Sequence, residues 1–429
     1  MTEDREYGFD TRALHAGQRV DPVTGSRAAP IHQTSAFVFE DAEHAADLFD
    51  LNRFGNIYTR IMNPTTAVFE ERMASLEGGV GALATASGLA AQAVAITTLL
   101  EAGDHVVASR HLYGGSHNQL AITLARLGIR TTFVDPADMG AWRAAVEDRT
   151  RILFAETIGN PRLDVLDIAA VAEVANEAGV PLLIDNTFAT PYLCRPMEHG
   201  AHLVSHSATK WICGHGTTIA GVLVDSGTFP WQDGRFPGLV EPSPGYRGLR
   251  YAETFGNFAF VMKARVETMR DLGPVLSPFN AFLLLQGLET LSLRMDRHVA
   301  NTRALADFLR DHPGVEWVTY PGLPDSPERE RAERYLPLGA GSVLTFGVKG
   351  GRAAGQRLIE ACELLSHLAN VGDAKSLIIH PASTTHRRLD EEGLSLAGVT
   401  EDMVRISVGL EALDDIVWDL DRAIRAATD

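Results

Sequence analysis

The chain has 429 residues, of which 45% are hydrophobic and 22% charged, and its formal net charge is −17. That length allows two or three folded units around a large core, and the acidic balance argues against a nucleic-acid partner or an anionic membrane surface. Three cysteines, Cys194, Cys213 and Cys362, lack metal-ligand spacing; they read as reduced thiols in a cytosolic protein, with no metal expected.

The opening segment MTEDREYGFDTRALHAG is charged and has no signal-like apolar run. Residues 1–70 carry many turn formers, including Asp21, Pro22, Gly25, Pro30, Asn63 and Pro64, and read as an arm that packs on another surface. From Gly81 short apolar runs alternate with helical periods. The runs are GALATAS (81–87), HVVAS (105–109), TTFVD (131–135), RILFAE (151–156), PLLIDN (181–186), HLVSHS (202–207) and GVLVD (221–225). Between them lie GLAAQAVAITTLLEAG (88–103), SHNQLAITLARLG (116–128) and DIAAVAEVANEAG (167–179), with Gly103, Gly128 and Gly179 placed to end helices. The apolar part of the first, Gly88 to Leu100, is too short to span a membrane. Strands this short and apolar are covered on both faces, so residues 71–278 predict a parallel or mixed α/β sheet. Residues 279–311 predict long helices, and SVLTFGV (342–348), a helix near 352–366, SLIIHPAS (376–383), MVRISVGL (403–410) and a terminal helix complete an α+β unit over 279–429.

In an open α/β sheet, ligands sit beyond the carboxyl ends of the strands. Asp185 ends one strand and is expected to be partly buried, which requires a cationic partner. A protonated pyridine nitrogen and a helix N-cap role read equally well from this residue alone. Lys210 follows another strand, between hydroxyl residues and Trp211; desolvation there favours its amine form, ready to attack an aldehyde. Ser207 and Thr209 alternate with Ala208, so both hydroxyls can serve one phosphate. Ser87-Gly88-Leu89 opens a helix directly after a strand, where backbone N–H groups make an anion site. Tyr113 follows the next strand, where its ring can either stack on a flat cofactor or pack in a core or interface.

Together, SATKWICGHG (207–216), DNTFATP (185–191), ETIGNP (156–161), YTRIMNPT (58–65) and ASGLAA (86–91) resemble the Cys/Met-metabolism enzymes that use pyridoxal 5′-phosphate (PLP). FDTRALHAGQ (9–18), FNAFLLLQGLETLSLRMDRH (279–298) and SLIIHPASTTH (376–386) are similar to the branch of that family acting on O-acetylhomoserine. The resemblance implies an aspartate aminotransferase-like, fold type I PLP transferase, with a mostly parallel seven-stranded large domain and a smaller α+β C-terminal domain. It implies that Lys210 holds PLP as a Schiff base and moves protons, that Asp185 pairs with the ring nitrogen, and that Tyr113 stacks on the ring and shares in catalysis. Gly88, Leu89, Ser207 and Thr209, with Ser87 and Thr187 beside them, would hold the cofactor within one subunit. Tyr58 and Arg60 would reach a neighbour's phosphate, so a homo-oligomer is implied, at least a dimer, with a homotetramer expected. Asn160 would contact the ring hydroxyl, and Arg405, helped by the backbone near Ser376, would clamp the substrate carboxylate; Asn160 and Tyr58 would also border the substrate. Cys213 stands where the family has a small residue, which bears on packing beside the lysine, and His206 and His215 read as structural.

The implied reaction is γ-replacement: O-acetylhomoserine and sulfide give homocysteine and acetate, in methionine biosynthesis. Cystathionine γ-synthase, cystathionine γ-lyase and methionine γ-lyase activities share every cofactor residue, although Gly114-Gly115-Ser116 lacks the cysteine usual in methionine γ-lyases. A non-catalytic regulator built on the same fold is the alternative of another class; no basic DNA-binding module is visible for it.

Overall fold

Seven apolar runs form one sheet: β1 (Gly81–Thr85), β2 (His105–Ser109), β3 (Arg130–Val134), β4 (Thr150–Glu156), β5 (Leu182–Asp185), β6 (Leu203–His206) and β7 (Gly221–Asp225), in the order β1-β7-β6-β5-β4-β2-β3. The chain is a computed structural model in which residues 5–385, 387, 394 and 398–428 are described. His386, the last residue of the SLIIHPASTTH segment, lies outside them.

Side chains alternate across the strands, and each face buries its own set. Leu153, Ala155, Leu182, Ile184, Val204, Val222 and Val224 join one apolar cluster. Ile152, Phe154, Leu183, Leu203 and Leu223 join the other. At about 25 cal/mol per Å² of apolar surface removed from water, this two-sided burial is what holds the strand ends, and with them the site, in place. The five strands β2 to β6 run parallel, whereas β7 is antiparallel to both β6 and β1. A parallel neighbour needs a crossover, usually helical; residues 207–220 supply none, so the chain simply turns back, and that turn carries Lys210.

Helix Gly88–Leu99 starts at Ser87, whose Oγ accepts the Ala90 N–H at 3.2 Å. It stops before Gly103, which lies in the following turn. Helix Ile168–Ala178 is capped by Asp167 and ends on Gly179, whose φ of +63° suits a residue without Cβ. The 116–128 segment is irregular: an α-turn (Gly114–Asn118), a π-helical stretch (Gln119–Leu124) and a 3₁₀ turn (Ala125–Leu127). The arm is not featureless, since it holds helices Phe9–His15 and Ala42–Phe49, and a helix over Pro64–Glu77 runs across residue 70.

Beyond the short helices of residues 231–272, helices Pro278–Leu288 and Leu291–Asp311 lead into a second sheet. It contains β8 (Val315–Thr319), β9 (Val343–Val348), β10 (Ser366–His367), β11 (Leu377–Ile379) and β12 (Met403–Ser407), ordered β10-β11-β12-β9-β8. Its core is continuous with one face of the large sheet: Leu284, Leu291, Leu344, Ile406 and Leu420 belong to the same cluster as Leu153 and Ile184. The two sheets therefore pack as one body, and Arg405 of β12 bonds Asn160, which follows β4.

Candidate active site

Asp185, at the carboxyl end of β5, is 9% exposed. Its Oδ2 accepts from Gln92 Nε2 at 2.7 Å, and its Oδ1 accepts from the Thr187 N–H at 2.9 Å and from the Thr187 hydroxyl. Burial pushes its pKa up, while the Thr187 hydrogen bonds, the charge of His206 and the Gln92 hydrogen bond pull it down. Among the described residues no salt bridge reaches it. A buried charge left without a direct partner costs roughly 3–5 kcal/mol, so the pocket suits a cationic group of a ligand. The N-cap alternative is met only in part: Thr187 N–H does donate to Asp185, but the next helical turn begins at Thr190.

Lys210 lies in the turn between β6 and β7. Burial, reinforced by the positive charge of Arg405, lowers its pKa from 10.5 to about 8. Its Nζ donates to Asn370 Oδ1, an amide contributed by the C-terminal domain. The turn is held from several sides. Trp211 Nε1 donates to Ser342 Oγ at 2.7 Å, and the Ala374 N–H donates to the Gly214 carbonyl at 2.9 Å. The buried guanidinium of Arg294 donates to the carbonyls of Trp211 (2.7 Å), Ile212 (3.4 Å) and Gly287 (2.6 Å). Cys213 is buried in the same turn, packed under Gly287, and His215 bonds back to the Cys213 carbonyl. His206 pairs with buried Glu77 at 2.6 Å, behind the strand ends.

Arg405, mid-strand in β12, donates to Asn160 Oδ1 at 3.0 Å, and burial lowers its pKa to about 10. No carboxylate pairs with it among the described residues. A desolvated arginine bonded to one amide keeps most of its fork of donors for a planar anion such as a carboxylate. Ser376 is fully buried: its N–H and hydroxyl both bond Glu411, its oxygen accepts the Gly409 N–H, and its carbonyl accepts the Ser366 N–H. Its polar groups are committed within the chain, where they pin the backbone just past β12.

The residues expected at the phosphate lie together where helix Gly88–Leu99 starts and the lysine turn begins. Gly88 approaches Ser207 so closely that a Cβ would lie 2.7 Å from Ser207 Cβ. Gly88 and Leu89 occupy the first helical turn, where N–H groups have no intrahelical partner. The Ser87 oxygen accepts from Ala90, leaving its hydrogen to donate. Thr187 Oγ1 accepts the Ser207 N–H at 2.8 Å, which ties the cradle to Asp185. Thr209 differs from expectation: its hydroxyl both donates to the Ala220 carbonyl (3.1 Å) and accepts the Ala220 N–H (2.9 Å), closing the lysine turn. Tyr113 is 51% exposed, and its N–H donates to Glu156 Oε1 at 2.6 Å. Tyr58 and Arg60 stand on the arm, the guanidinium 5.4 Å from the tyrosine ring and bonded to the Arg270 carbonyl.

Sequence reasoning missed Asn370, Gln92, Glu156 and Arg294. Gln92 had a signal, as the one large polar residue in an otherwise apolar helix; Asn370, 160 positions from Lys210, had none.

The sequence profile of the Cys/Met metabolism PLP-dependent enzymes matches residues 10–425. The chain belongs to this family. It is 53% identical over 430 residues to an O-acetyl-L-homoserine sulfhydrylase of Leptospira meyeri, covering 98% of this chain and 97% of that one. It is 52% identical over 422 residues to a homocysteine synthase of Schizosaccharomyces pombe, covering 98% of each. A crystal structure from Campylobacter jejuni, described as an O-acetylhomoserine (thiol)-lyase with N′-pyridoxyl-lysine-5′-monophosphate, superposes with a TM-score of 0.95 at 36% identity, covering 98% of this chain and 100% of that one. The fold is therefore fold type I, and the cofactor of this family member is PLP. The residues present suit it: a buried carboxylate for the ring nitrogen, a desolvated lysine for the aldehyde, and a glycine-tight helix start for the phosphate.

Proposed function

We propose that the chain catalyses γ-replacement, converting O-acetylhomoserine and sulfide into homocysteine and acetate in methionine biosynthesis. The observation that carries this reading is the pairing of Lys210, its amine lowered to a pKa of about 8, with an Arg405 that is held by Asn160 and has no carboxylate partner among the described residues. The relatives named above, similar over nearly the whole chain, narrow the substrate. Arg405 clamps the substrate carboxylate and so fixes the α-carbon relative to Lys210. Bound PLP supplies the electron sink. Lys210 removes the α-proton and takes part in proton transfer at the β-carbon, which an amine titrating near 8 can do as both base and acid. Acetate leaves from the γ-carbon and sulfide takes its place.

In this reading Asp185, oriented by Gln92 and Thr187, keeps the ring nitrogen protonated. Ser87, Gly88, Leu89 and Ser207 hold the phosphate, with Thr209 bracing the turn, and Tyr113 covers the ring. Asn160, whose Oδ1 accepts from Arg405, would offer its amide N–H to the ring hydroxyl. Tyr58 and Arg60 complete the phosphate site of a neighbouring subunit, so the working form is at least a dimer, and we favour a tetramer. Three free thiols suit a reducing cytoplasm.

Steady-state turnover of O-acetylhomoserine with sulfide, with cysteine, and with no acceptor tests this. Homocysteine formed only with sulfide is the expected result. Cystathionine as the main product, or 2-oxobutanoate without any acceptor, would reassign the reaction to a synthase or a lyase.

A further inference from the structure

Two carboxyl groups end adjacent strands at the site. Glu156, last residue of β4, is the register partner of Asp185, last residue of β5. The ring nitrogen accounts for Asp185, but nothing in the reaction uses Glu156. It is 7% exposed and makes no salt bridge among the described residues.

We propose that Glu156 is the positioning residue for Tyr113, fixing through the Tyr113 backbone N–H the ring that covers the cofactor. This role rests on the reading of Tyr113 given above. Tyr113 immediately precedes the short helix Gly114–Asn118, and no side-chain cap holds that start. What holds it is the N–H bond to Glu156 Oε1 and the Tyr113 carbonyl, which accepts the His117 N–H at 3.0 Å. The ring is half exposed, so core packing does not place it. It lies instead over Gly115, where a Cβ would stand 2.4 Å from ring Cε1. A ring set by its own main chain depends on the group that pins that main chain.

The state of Glu156 suits the task. Burial, and then the charge of Asp185, push its pKa well above the usual carboxylate range. The Tyr113 N–H bond pulls the other way, and Oε1 accepts that N–H whether or not the carboxyl carries its proton. A glutamine offers the same Oε1 acceptor without a charge and should therefore replace Glu156.

The test uses PLP-loaded E156Q, E156L, Y113A and the E156L/Y113A double variant. Visible circular dichroism per bound cofactor reads the ring environment, and far-ultraviolet dichroism and Tm report the fold. E156Q is expected to keep the parent's visible signal and to stay within about twofold in kcat. E156L is expected to alter the visible signal, to lower kcat by about tenfold or more with the far-ultraviolet spectrum intact, and to add nothing to Y113A. A visible signal unchanged in E156L but changed in Y113A overturns the role of Glu156 alone, as does an additive double variant. E156Q failing as E156L does would also overturn it. Y113A with an unchanged visible signal overturns the placement of the ring and this role with it. If E156L does not fold, E156D, which withdraws the acceptor by one methylene, is read in the same way.

Discussion

Lys210 and Arg405 are two cations in one desolvated pocket, and each makes the other's charge more expensive. Burial is the larger cause of the lysine's shift and Arg405 the smaller, and together they set its pKa near 8. Only the neutral amine attacks the PLP aldehyde. The rate of PLP capture by the apoprotein should therefore rise about tenfold per pH unit below 8 and level above it. An unshifted lysine would keep gaining rate toward 10.5. Stopped-flow growth of the visible absorption band measures this directly. Replacing Arg405 by Met removes the cause that acts from outside Lys210, so the plateau should move to higher pH. A parent rate still climbing steeply at about pH 9.5 would refute the desolvated lysine.

At the scale of elements, the proposed anion site is a contact between a helix start and a turn, and Gly88 sets its closeness. Exchanging glycine for alanine in a helix usually stabilises by about 0.5–1 kcal/mol. Here a Cβ would lie 2.7 Å from Ser207 Cβ and 2.8 Å from its Cα. Backbone on that side cannot yield cheaply, so the clash should outweigh the propensity gain. G88A is expected to weaken PLP binding by about tenfold or more and to lower Tm, read by equilibrium dialysis and thermal melts; a raised Tm with unchanged affinity would show that the turn gives way. Such contacts explain what the sequence could tell. All seven strands of the large sheet were legible, within two residues at each end, because most are short, nearly continuous apolar runs bounded by turn formers; β3 (RTTFV), half exposed, is the weakest of them. The direction of β7 was open to the same reasoning, since residues 207–220 contain no crossover helix, but periodicity alone says nothing about direction. β8 was missed because Glu316 to Thr319 stays partly exposed at a sheet edge and shows no apolar run. Lys210 and Asp185 stood out as polar residues at the ends of apolar strands. Asn370 and Glu156 gain their meaning only from what folding brings against them.

For the whole molecule, the arm poses the remaining question. Val23, Val38, Phe49, Phe54 and Tyr58 are all more than 40% exposed, an apolar load that a segment keeps when another surface covers it. Arg60 meanwhile bonds a carbonyl of its own chain. If each site joins Lys210 of one subunit to Tyr58 and Arg60 of the next, then a K210A chain and a Y58A/R60A chain are each defective alone but complementary together. In a statistical mixture of dimers, half pair unlike chains, and each of those contains one site with every residue intact. Co-expression should thus restore about a quarter of the parent's turnover, where either variant alone gives next to none. The restored activity should fall on dilution if subunits separate. No restoration in a mixture shown by mass to contain hybrids would mean that the arm completes its own subunit's site, and the argument for a shared phosphate site would fail with it.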